Sequence, residues 1–380
     1  MSRLWGRFAD YIRETDKFLL SVCLFASFYG AFIILSATRF TGSTRFFFVH
    51  LLGAGIGLVL AVIVSTIAPY ERLLRLWPLW AGIALILVGL TFFIGYAPVG
   101  TDDKAWLRLP GNMSFQPSEL LKIAFVITFA KHVSLVESKI NTLRNLFLLC
   151  LHGAAPVVLI HIQGDDGTAL VMAVMFVTMM FAAGVKLRYF AAFFGMIAAA
   201  LPVLWFVVMD DMQKNRFKIL FDPEGDLYGL GWQQWRARLA LANGGFWGQG
   251  YMKGEIVQSN QLPKGYNDFI FASAGEELGM LGLLAIILLL GAICVRLLVV
   301  AHKAKDKAGA IICTGIFGML LAQSVLNIGM CTSLLPVVGV TLPLFSAGGT
   351  SVMTTFISIG LAANVYMHRS NRVMQLIDDM

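Results

Sequence analysis

Charged side chains are scarce in this sequence. Asp, Glu, Lys and Arg make up 13% of its 380 residues, whereas hydrophobic residues make up 58%. A soluble domain usually carries about 25% charged residues. The mean hydropathy of +0.77 agrees with this shortage. So few charges cannot cover the surface of a water-soluble protein of this size, and lipid must therefore surround most of the chain.

The sequence also lacks the short motifs of several enzyme and binding classes. It has no CxxC or Cys/His spacing for zinc or a disulfide framework. No GxSxG, P-loop or GxGxxG motif stands in a suitable context, which argues against serine hydrolases, NTPases and dinucleotide enzymes. The net charge of +7 comes without a nucleic-acid-binding signature, so nucleic acid is not an expected partner.

Long apolar runs are what the sequence has instead. A transmembrane helix needs about 20 mostly apolar residues. The first run, residues 18–35, is too long for a signal peptide and is interpreted as a membrane span. We predict an all-α polytopic membrane protein with one domain over residues 1–380. Its ten predicted spans are approximately residues 18–38, 47–68, 77–98, 117–135, 145–162, 167–185, 188–209, 269–300, 308–331 and 345–367.

Basic residues determine the predicted orientation of these spans. Lys and Arg are concentrated in alternate connections, and short basic connections face the cytoplasm. Both termini are therefore predicted to be cytoplasmic, in agreement with an even number of spans. The predicted cytoplasmic connections carry Arg72 and Arg75; Lys139 and Arg144; Lys186 and Arg188; Lys303, Lys305 and Lys307; and Arg369 and Arg372.

Two connections on the predicted outer side are rich in basic and aromatic residues. One is the large loop of about residues 210–268, and a loop of this length in a compact membrane protein is usually functional. The other covers about residues 99–116. Together they suit a substrate with phosphate groups and sugar rings. Their candidate binding residues are Lys104, Trp106, Arg108, Lys214, Arg216 and Lys218.

Ionisable residues within or beside membrane spans are costly, so each is a functional candidate. Glu119 and Lys122 follow Pro117, which suits the first turn of a helix. Their spacing of three places them on one helix face, where they can pair. Two interpretations stay open. The two residues form an ion pair that lets both remain in the helix bundle, or they form a site that orients a substrate or an ion.

Asp165 belongs to the polar segment Gln163–Thr168, at the outer start of a predicted helix. A carboxylate in this position can cap free backbone N–H groups. Capping accounts for one aspartate, but Gln163 and the two neighbouring aspartates also fit a polar pocket. Both interpretations are kept, and Gln163, Asp165 and Thr168 are candidate substrate-binding residues.

Asp268 lies where the large outer loop meets an apolar helix. It is either a helix cap or a general base, because a partly desolvated carboxylate has a raised pKa and can accept a proton near neutral pH. Glu276 and Glu277 follow about two turns later on the same helix, and one of them is expected to face the bundle interior. The segment 336–351 is dense in Pro and Gly, which predicts a broken or re-entrant backbone around Ser346.

Taken in order, these short sequence motifs, or boxes, resemble those of the SEDS proteins, the FtsW/RodA/SpoVE family of peptidoglycan polymerases. The resemblance covers nearly the whole chain, and the short termini are more similar to the elongation branch than to the division branch. Each box is moderately specific, but five in order are difficult to obtain by chance. They are Trp106 with Phe115–Lys122; Gln163–Thr168; Lys214, Arg216, Asp222 and Pro223; Asn267–Phe271 with Glu276–Gly279; and Asn327–Met330 with Pro336 and Pro343–Gly349.

The sequence departs from the family pattern in several places. Gly164 and Asp166 replace Pro and Leu in their motif, and Arg236-Ala237 replaces a common Gln-Ser pair of the large loop. The usual Arg before the loop tryptophan is Ala105 here, with Lys104 one step back. The usual Pro-Glu-Ala-His-Thr before the catalytic aspartate reads Pro-Lys-Gly-Tyr-Asn over residues 263–267. Neither that Glu nor that His is present here, whereas the aspartate itself is retained as Asp268.

The resemblance implies an inverting glycosyltransferase that polymerises lipid II into β-1,4-linked glycan strands, for cell elongation and rod shape. The reaction would take place at the outer face of the bacterial cytoplasmic membrane. Asp268 would be the catalytic base that activates a sugar hydroxyl. The donor would be a glycan linked to undecaprenyl pyrophosphate, neutralised by the basic residues of the outer loops, and Trp106 would stack on a sugar ring. Glu119, Lys122, Glu276 and Ser346 complete the candidate substrate-binding set.

The resemblance also implies partners and a cofactor. The partners would be membrane lipid and a class B penicillin-binding protein that crosslinks the product. A pyrophosphate leaving group favours a divalent cation, Mg²⁺ or Mn²⁺. Two alternative functions stay open. A lipid II flippase or transporter would place its essential charges near the membrane midplane, and a non-catalytic scaffold for the crosslinking enzyme would also fit the large basic loop.

Overall fold

Helices form most of the protein. The computed structural model shows one small sheet in the described part of the chain, a hairpin of β1 (Leu107–Leu109) and β2 (Met113–Phe115). This agrees with the predicted all-α membrane protein. The described residues are 13–97, 103–109, 113–221 and 230–369.

A helix covers most of every predicted span. Eight helices are long and apolar enough to cross a membrane within the described ranges. Of the other two, Asp166–Ala182 has 17 residues, and Pro117–Val136 carries the predicted Glu119–Lys122 pair. In chain order the helices are α1 (Lys17–Ala37), α2 (Arg45–Ile67), α3 (Tyr70–Arg75), α4 (Trp77–Ile94), α5 (Pro117–Val136), α6 (Leu143–Ile162), α7 (Asp166–Ala182), α8 (Leu187–Val203), α9 (Asp211–Phe221), α10 (Leu230–Gly244), α11 (Glu255–Gln258), α12 (Ile270–His302), α13 (Lys307–Cys331) and α14 (Gly349–Met367).

The last predicted span begins later than expected. The apolar run starts at residue 345, but α14 begins at Gly349. Leu344 has a left-handed backbone with φ of 66°, and the N–H of Leu342 donates to Ser346 Oγ at 2.8 Å. These local interactions hold the segment before α14 as a non-helical turn, as the density of Pro and Gly predicts.

The large outer loop contains more regular structure than its composition indicates. Three helices, α9, α10 and α11, lie between residues 211 and 258. Ala237 and Ala240 of α10 are fully buried. Gly244, at the end of α10, packs directly on α12, because a Cβ there would lie 1.8 Å from the carbonyl oxygen of Gly275. Asp222 and Pro223 lie outside the described residues.

Connections that are predicted to share a side of the membrane contact one another. At the predicted cytoplasmic end, Lys305 pairs with Glu71 at 3.7 Å. At the opposite end, Thr350 Oγ1 donates to the carbonyl oxygen of Ser114 at 3.1 Å. Each of these two contacts joins connections that the prediction places at the same end of the bundle. Which end faces the cytoplasm stays a prediction.

Helices α2 and α14 pack backbone against backbone. A Cβ on Gly53 would lie 2.6 Å from the carbonyl oxygen of Gly349, and one on Gly360 would lie 2.5 Å from the Cα of Ala61. Small residues of this kind let membrane helices approach closely. Helix α8 is the opposite case, because none of its residues is buried.

A break in α12 brings the loop after α10 against the helix. Gly279 has φ of 65° and ψ of −165°, a conformation that is essentially restricted to glycine. A Cβ at this position would lie 2.3 Å from the backbone nitrogen of Gly248. The break therefore depends on both the backbone freedom and the small size of glycine.

We predict that Gly279→Ala destabilises the protein more than Gly42→Ala. Gly42 also has a positive φ, of 64°, but a Cβ there has open space around it. Gly42→Ala should cost about 1–2 kcal/mol from backbone strain alone, and Gly279→Ala should add the cost of a clash with backbone. Thermal unfolding of the purified variants in detergent measures the difference. Equal shifts in the unfolding midpoint would refute the packing argument.

Candidate functional site

Asp268 lies in a tight turn that leads into α12. The backbone of Lys264 is left-handed, with φ of 51°. Its carbonyl oxygen accepts the N–H groups of Asn267 at 2.9 Å and Phe269 at 3.2 Å. The cap position of α12 is Phe269. Asp268 is therefore not the helix cap, and this one of its two predicted roles is wrong.

Two other segments of the chain hold this turn in place. Asn327 of α13 donates from Nδ2 to the carbonyl oxygens of Asp268 at 2.8 Å and Val340 at 2.7 Å. Ser346 Oγ donates to the carbonyl oxygen of Asn267 at 2.7 Å. Asn327 is fully buried and Ser346 nearly so. The segment before α14 thus supports the backbone just before the predicted catalytic residue, and α13 supports the carbonyl group of that residue itself.

The carboxyl group of Asp268 is buried, and neighbouring charged groups shift its pKa. Asp268 is 5% exposed, and burial raises its pKa above the ordinary value. Lys264 opposes this shift, with Nζ 3.5 Å from Asp268 Oδ2. Asp103, in the shorter outer loop, raises the pKa further. A carboxylate with a raised pKa is a stronger base than an exposed aspartate, which suits proton abstraction.

Glu119 and Lys122 form a buried ion pair on α5. Lys122 Nζ lies 2.7 Å from Glu119 Oε1, and the two side chains are 2% and 7% exposed. Thr354 of α14 donates to the other oxygen, Glu119 Oε2, at 2.8 Å. The geometry favours the first of the two predicted roles, an ion pair that keeps both residues in the bundle. A contact with substrate stays a prediction.

Asp165 fulfils the first of its two predicted interpretations, the helix cap, while the polar pocket for a substrate stays a prediction. Its Oδ1 accepts the N–H of Thr168 at 2.9 Å, which caps α7. Its Oδ2 accepts Gln116 Nε2 at 2.7 Å. Burial raises the pKa of Asp165 to about 6. Gln163 Nε2 donates to the carbonyl oxygen of Val88 at 3.2 Å, while its buried Oε1 has no hydrogen-bond partner among the described residues.

Glu276 lies in a different environment from Asp268. It is fully buried. Its two oxygens accept the backbone N–H groups of Ile256 at 2.9 Å and Val257 at 2.8 Å. These N–H groups belong to the first turn of α11, so Glu276 fixes the large loop to α12. Its predicted contact with substrate stays a prediction.

The basic and aromatic candidates are distributed over two loops. Lys104 and Arg108 are exposed, and the Arg108 guanidinium lies 4.5 Å from the centre of the Tyr96 ring. Trp106 is half-buried, and its backbone pairs with that of Tyr96 in a single antiparallel β-bridge. Lys214 and Lys218 are one turn apart on α9, and Arg216 is on the same helix, but its side chain lies outside the described part.

Sequence reasoning missed three residues near Asp268: Lys264, Asn327 and Asp103. Lys264 is four residues before Asp268, a spacing that would have signalled an ion pair on a helix. The chain is not helical between these two residues, so the spacing of four did not by itself predict the pair. Asn327 and Asp103 approach from elements far away in sequence, and spacing cannot reveal such contacts.

The predicted divalent cation has no protein site of its own among the described residues. No group of three or more His, Cys, Asp and Glu side chains is arranged there to hold a metal ion. Mg²⁺ in phosphate-handling sites is often bound by one or two carboxylates together with substrate phosphates. Carboxyl groups are available at this end of the bundle.

The fold and sequence are similar to those of known proteins over nearly their whole length. A family model described as "Cell cycle protein", FTSW_RODA_SPOVE, matches residues 16–371. Peptidoglycan glycosyltransferase MrdB of Escherichia coli K12 is 31% identical over 355 residues, which cover 93% of this chain and 94% of MrdB.

Two solved structures extend the similarity to the fold. A chain of a peptidoglycan synthase complex that coordinates polymerization and crosslinking aligns with a TM-score of 0.79 and 26% identity, covering 94% of this chain and 99% of that one. The rod shape determining protein RodA of Thermus thermophilus aligns with a TM-score of 0.69 and 25% identity, covering 94% and 98%.

We predict that Glu119→Gln destabilises the protein by about 3–5 kcal/mol, because it leaves Lys122 buried without its counter-charge. The double variant Glu119→Gln/Lys122→Met should recover much of this loss. Glu71→Gln is the control, since its partner Lys305 is 59% exposed and such pairs contribute only about 0–1 kcal/mol. Thermal and denaturant unfolding report the differences. A double variant as unstable as Glu119→Gln would contradict the ion-pair interpretation.

Proposed function

The chain belongs to the FtsW/RodA/SpoVE family of cell cycle proteins, and on this basis we propose that it is a peptidoglycan glycosyltransferase. The proposed reaction extends a lipid-linked glycan with lipid II to give β-1,4-linked strands. The observation that carries the proposal is the carboxyl group of Asp268. It is 5% exposed, has a raised pKa and has a lysine ammonium 3.5 Å away. The similarity to the glycosyltransferase MrdB supports the same reaction.

In this reaction Asp268 removes a proton from the acceptor. The 4-hydroxyl of the terminal GlcNAc on lipid II attacks the anomeric carbon C1 of the donor glycan. A new C1–O bond forms while the bond from C1 to the diphosphate oxygen breaks. The hydroxyl proton goes to the Asp268 carboxylate, and the bonding electron pair leaves with the diphosphate. Attack from the face opposite the leaving group converts the α-linked donor into a β-linkage, so no covalent enzyme intermediate is needed.

The leaving diphosphate needs positive charge close to the site. Lys104 and Arg108, in the shorter outer loop, are exposed. This loop also contains Asp103, which acts electrostatically on Asp268. Basic side chains in this loop are therefore suited to neutralise a diphosphate beside the base. Lys214, Arg216 and Lys218 of α9 are proposed for the same role, with Trp106 as a platform for a sugar ring.

The described fold fits surface chemistry better than transport. A flippase would need its essential charges near the middle of the bundle. Asp268, Asp165 and Lys264 all lie at the ends of helices or in the turns between them. The buried pair of Glu119 and Lys122 is also in the first two turns of α5.

We further propose that the protein works in the bacterial cytoplasmic membrane with a crosslinking partner. The aligned chain from a peptidoglycan synthase complex, in which polymerization and crosslinking are coordinated, supports a penicillin-binding protein as that partner. The similarity to a rod shape determining protein supports a role in cell elongation. Apolar side chains exposed on α1, α2 and α4 provide a lipid-facing surface.

We predict that Asp268→Asn lowers the rate of glycan polymerisation by at least ~100-fold, the range expected for loss of a general base. Asparagine keeps the size of the side chain but cannot accept the proton. The measurement is polymer formation by purified protein from lipid II, analysed on gels. Glu255→Gln, an exposed carboxylate in the large loop, is the control and should retain activity. Polymer made by Asp268→Asn at the rate of the unchanged protein would refute the proposed base.

The same assay tests the proposed cation and partner. Removal of divalent cations with EDTA should reduce polymerisation, and Mg²⁺ or Mn²⁺ should restore it, because the leaving diphosphate carries several negative charges.

Addition of a class B penicillin-binding protein from the same cell should convert the strands into crosslinked product. Activity that is insensitive to EDTA, or strands that stay uncrosslinked, would count against the corresponding proposal. An inactive but correctly folded protein would favour the flippase or scaffold function.

A further inference from the structure

Lys264 forms an ion pair with the proposed base. Its Nζ lies 3.5 Å from Asp268 Oδ2, and the two side chains are 29% and 6% exposed. The left-handed backbone at Lys264 turns the chain so that the two side chains meet although no helix joins them. The ammonium group therefore connects a buried carboxylate with the solvent-accessible surface.

The other groups around Asp268 do not supply this positive charge. Asp103 acts on it with negative charge. The pKa of the Tyr266 hydroxyl is itself raised by burial and by Asp268. Cys331 Sγ contacts the backbone carbonyl oxygen of Asp268 at 3.7 Å. Of the groups that shift the pKa of Asp268 in the described part of the chain, Lys264 is the cation.

The two lysine–carboxylate pairs of this end of the protein differ in a way that indicates different roles. The Lys122–Glu119 distance is 2.7 Å and Lys122 is 2% exposed. A distance of about 2.7–2.9 Å is normal for a strong charge-assisted hydrogen bond. The Lys264–Asp268 distance is longer, and Lys264 is more accessible. The Lys122–Glu119 pair is therefore shielded from other partners, whereas Lys264 is accessible enough to exchange Asp268 for another anion.

We propose that Lys264 is a counter-ion shared between Asp268 and the diphosphate of the lipid-linked donor. Before the donor binds, the ammonium group pairs with the carboxylate. When the donor binds, the ammonium group turns to the diphosphate oxygens. An ammonium group is a compact charge with three donors on a flexible stem, so a small rotation of the side chain is sufficient. This inference rests on the proposed function and adds to it a residue that links donor binding to the base.

The exchange has a chemical consequence for the base. Lys264 lowers the pKa of Asp268 while it pairs with it. A carboxylate that loses a neighbouring cation becomes a stronger base. Asp268 would therefore gain basicity when the donor is in place, and would be held less basic, and ionised, before that.

Binding of inorganic pyrophosphate to the full-length protein in detergent tests the proposal without any need for turnover. Lys264→Met should weaken pyrophosphate binding by ~10-fold or more, which corresponds to about 1.4 kcal/mol. Lys264→Arg should bind close to normally, because the charge is retained. Lys253→Met is the matched control, since Lys253 is an exposed lysine of the same loop, and it should bind normally. Equal binding by Lys264→Met and Lys253→Met would overturn the proposal.

A double-mutant cycle tests the exchange itself. Asp268→Asn releases Lys264 from its internal partner, so this variant should bind pyrophosphate more tightly than the unchanged protein. In the Lys264→Met background the same substitution should give a much smaller gain, because the lysine that benefits is gone. An equal gain in both backgrounds would show simple repulsion by the aspartate and would overturn the exchange.

The pH dependence of polymerisation gives a third readout. Removal of a cation raises the pKa of the base, so Lys264→Met should move the acid limb of kcat/KM to higher pH by about one unit. The acid limb of kcat, which reports the enzyme with donor bound, should move less, because Lys264 has already left Asp268 in that state. Equal shifts in both profiles would indicate a fixed pair and contradict the exchange. An unchanged protein without polymerase activity would reject the proposed function, while the binding results would still decide on Lys264.

Discussion

The site depends on one constraint: backbone that is buried without being helical must find its hydrogen bonds inside the protein. Asn327 meets this requirement with a single amide, which donates to Asp268 in one loop and Val340 in another. Ser346 adds a bond to Asn267. The backbone before α12 is therefore held by the segment before α14, and the position of the Asp268 carboxyl group follows from both. In this position burial raises the pKa of Asp268.

The helices and the main candidate residue could be predicted because both leave strong local signals. Apolar runs of sufficient length predict helices directly, and Asp268 stands out as an acidic residue at the start of such a run. The helices α9, α10 and α11 left a weaker signal, because the large loop is rich in Gly and aromatic residues. Its composition also does not reveal the contact of Gly244 with Gly275. The start of α14 was placed too early, because hydropathy cannot detect the left-handed backbone of Leu344.

The candidate site was predicted less completely than the fold because its contacts join distant elements. The oxygens of Glu276 accept hydrogen bonds from the backbone of α11, a contact that the residue pattern did not predict, while its contact with a substrate stays a prediction. Asp165 had two competing interpretations, of which the helix cap is confirmed. Its second oxygen accepts a hydrogen bond from Gln116, a contact between distant segments that the pattern does not specify. Lys264 was recognised only as a basic residue of a loop. Its pairing depends on a local turn that the residue pattern does not specify.

The close contact between α2 and α14 also has a mechanical consequence. Where backbones touch through Gly53, Gly349 and Gly360, neither helix can slide or rotate without a collision. This pair, with the turn that it carries, behaves as a fixed frame. Helix α8 buries none of its residues, and its glycine, Gly195, makes no such close backbone contact in the described part of the chain. We therefore expect that any rearrangement which admits a long polymer and lets it advance is borne by α8, while the frame keeps the reacting groups in register from one cycle to the next.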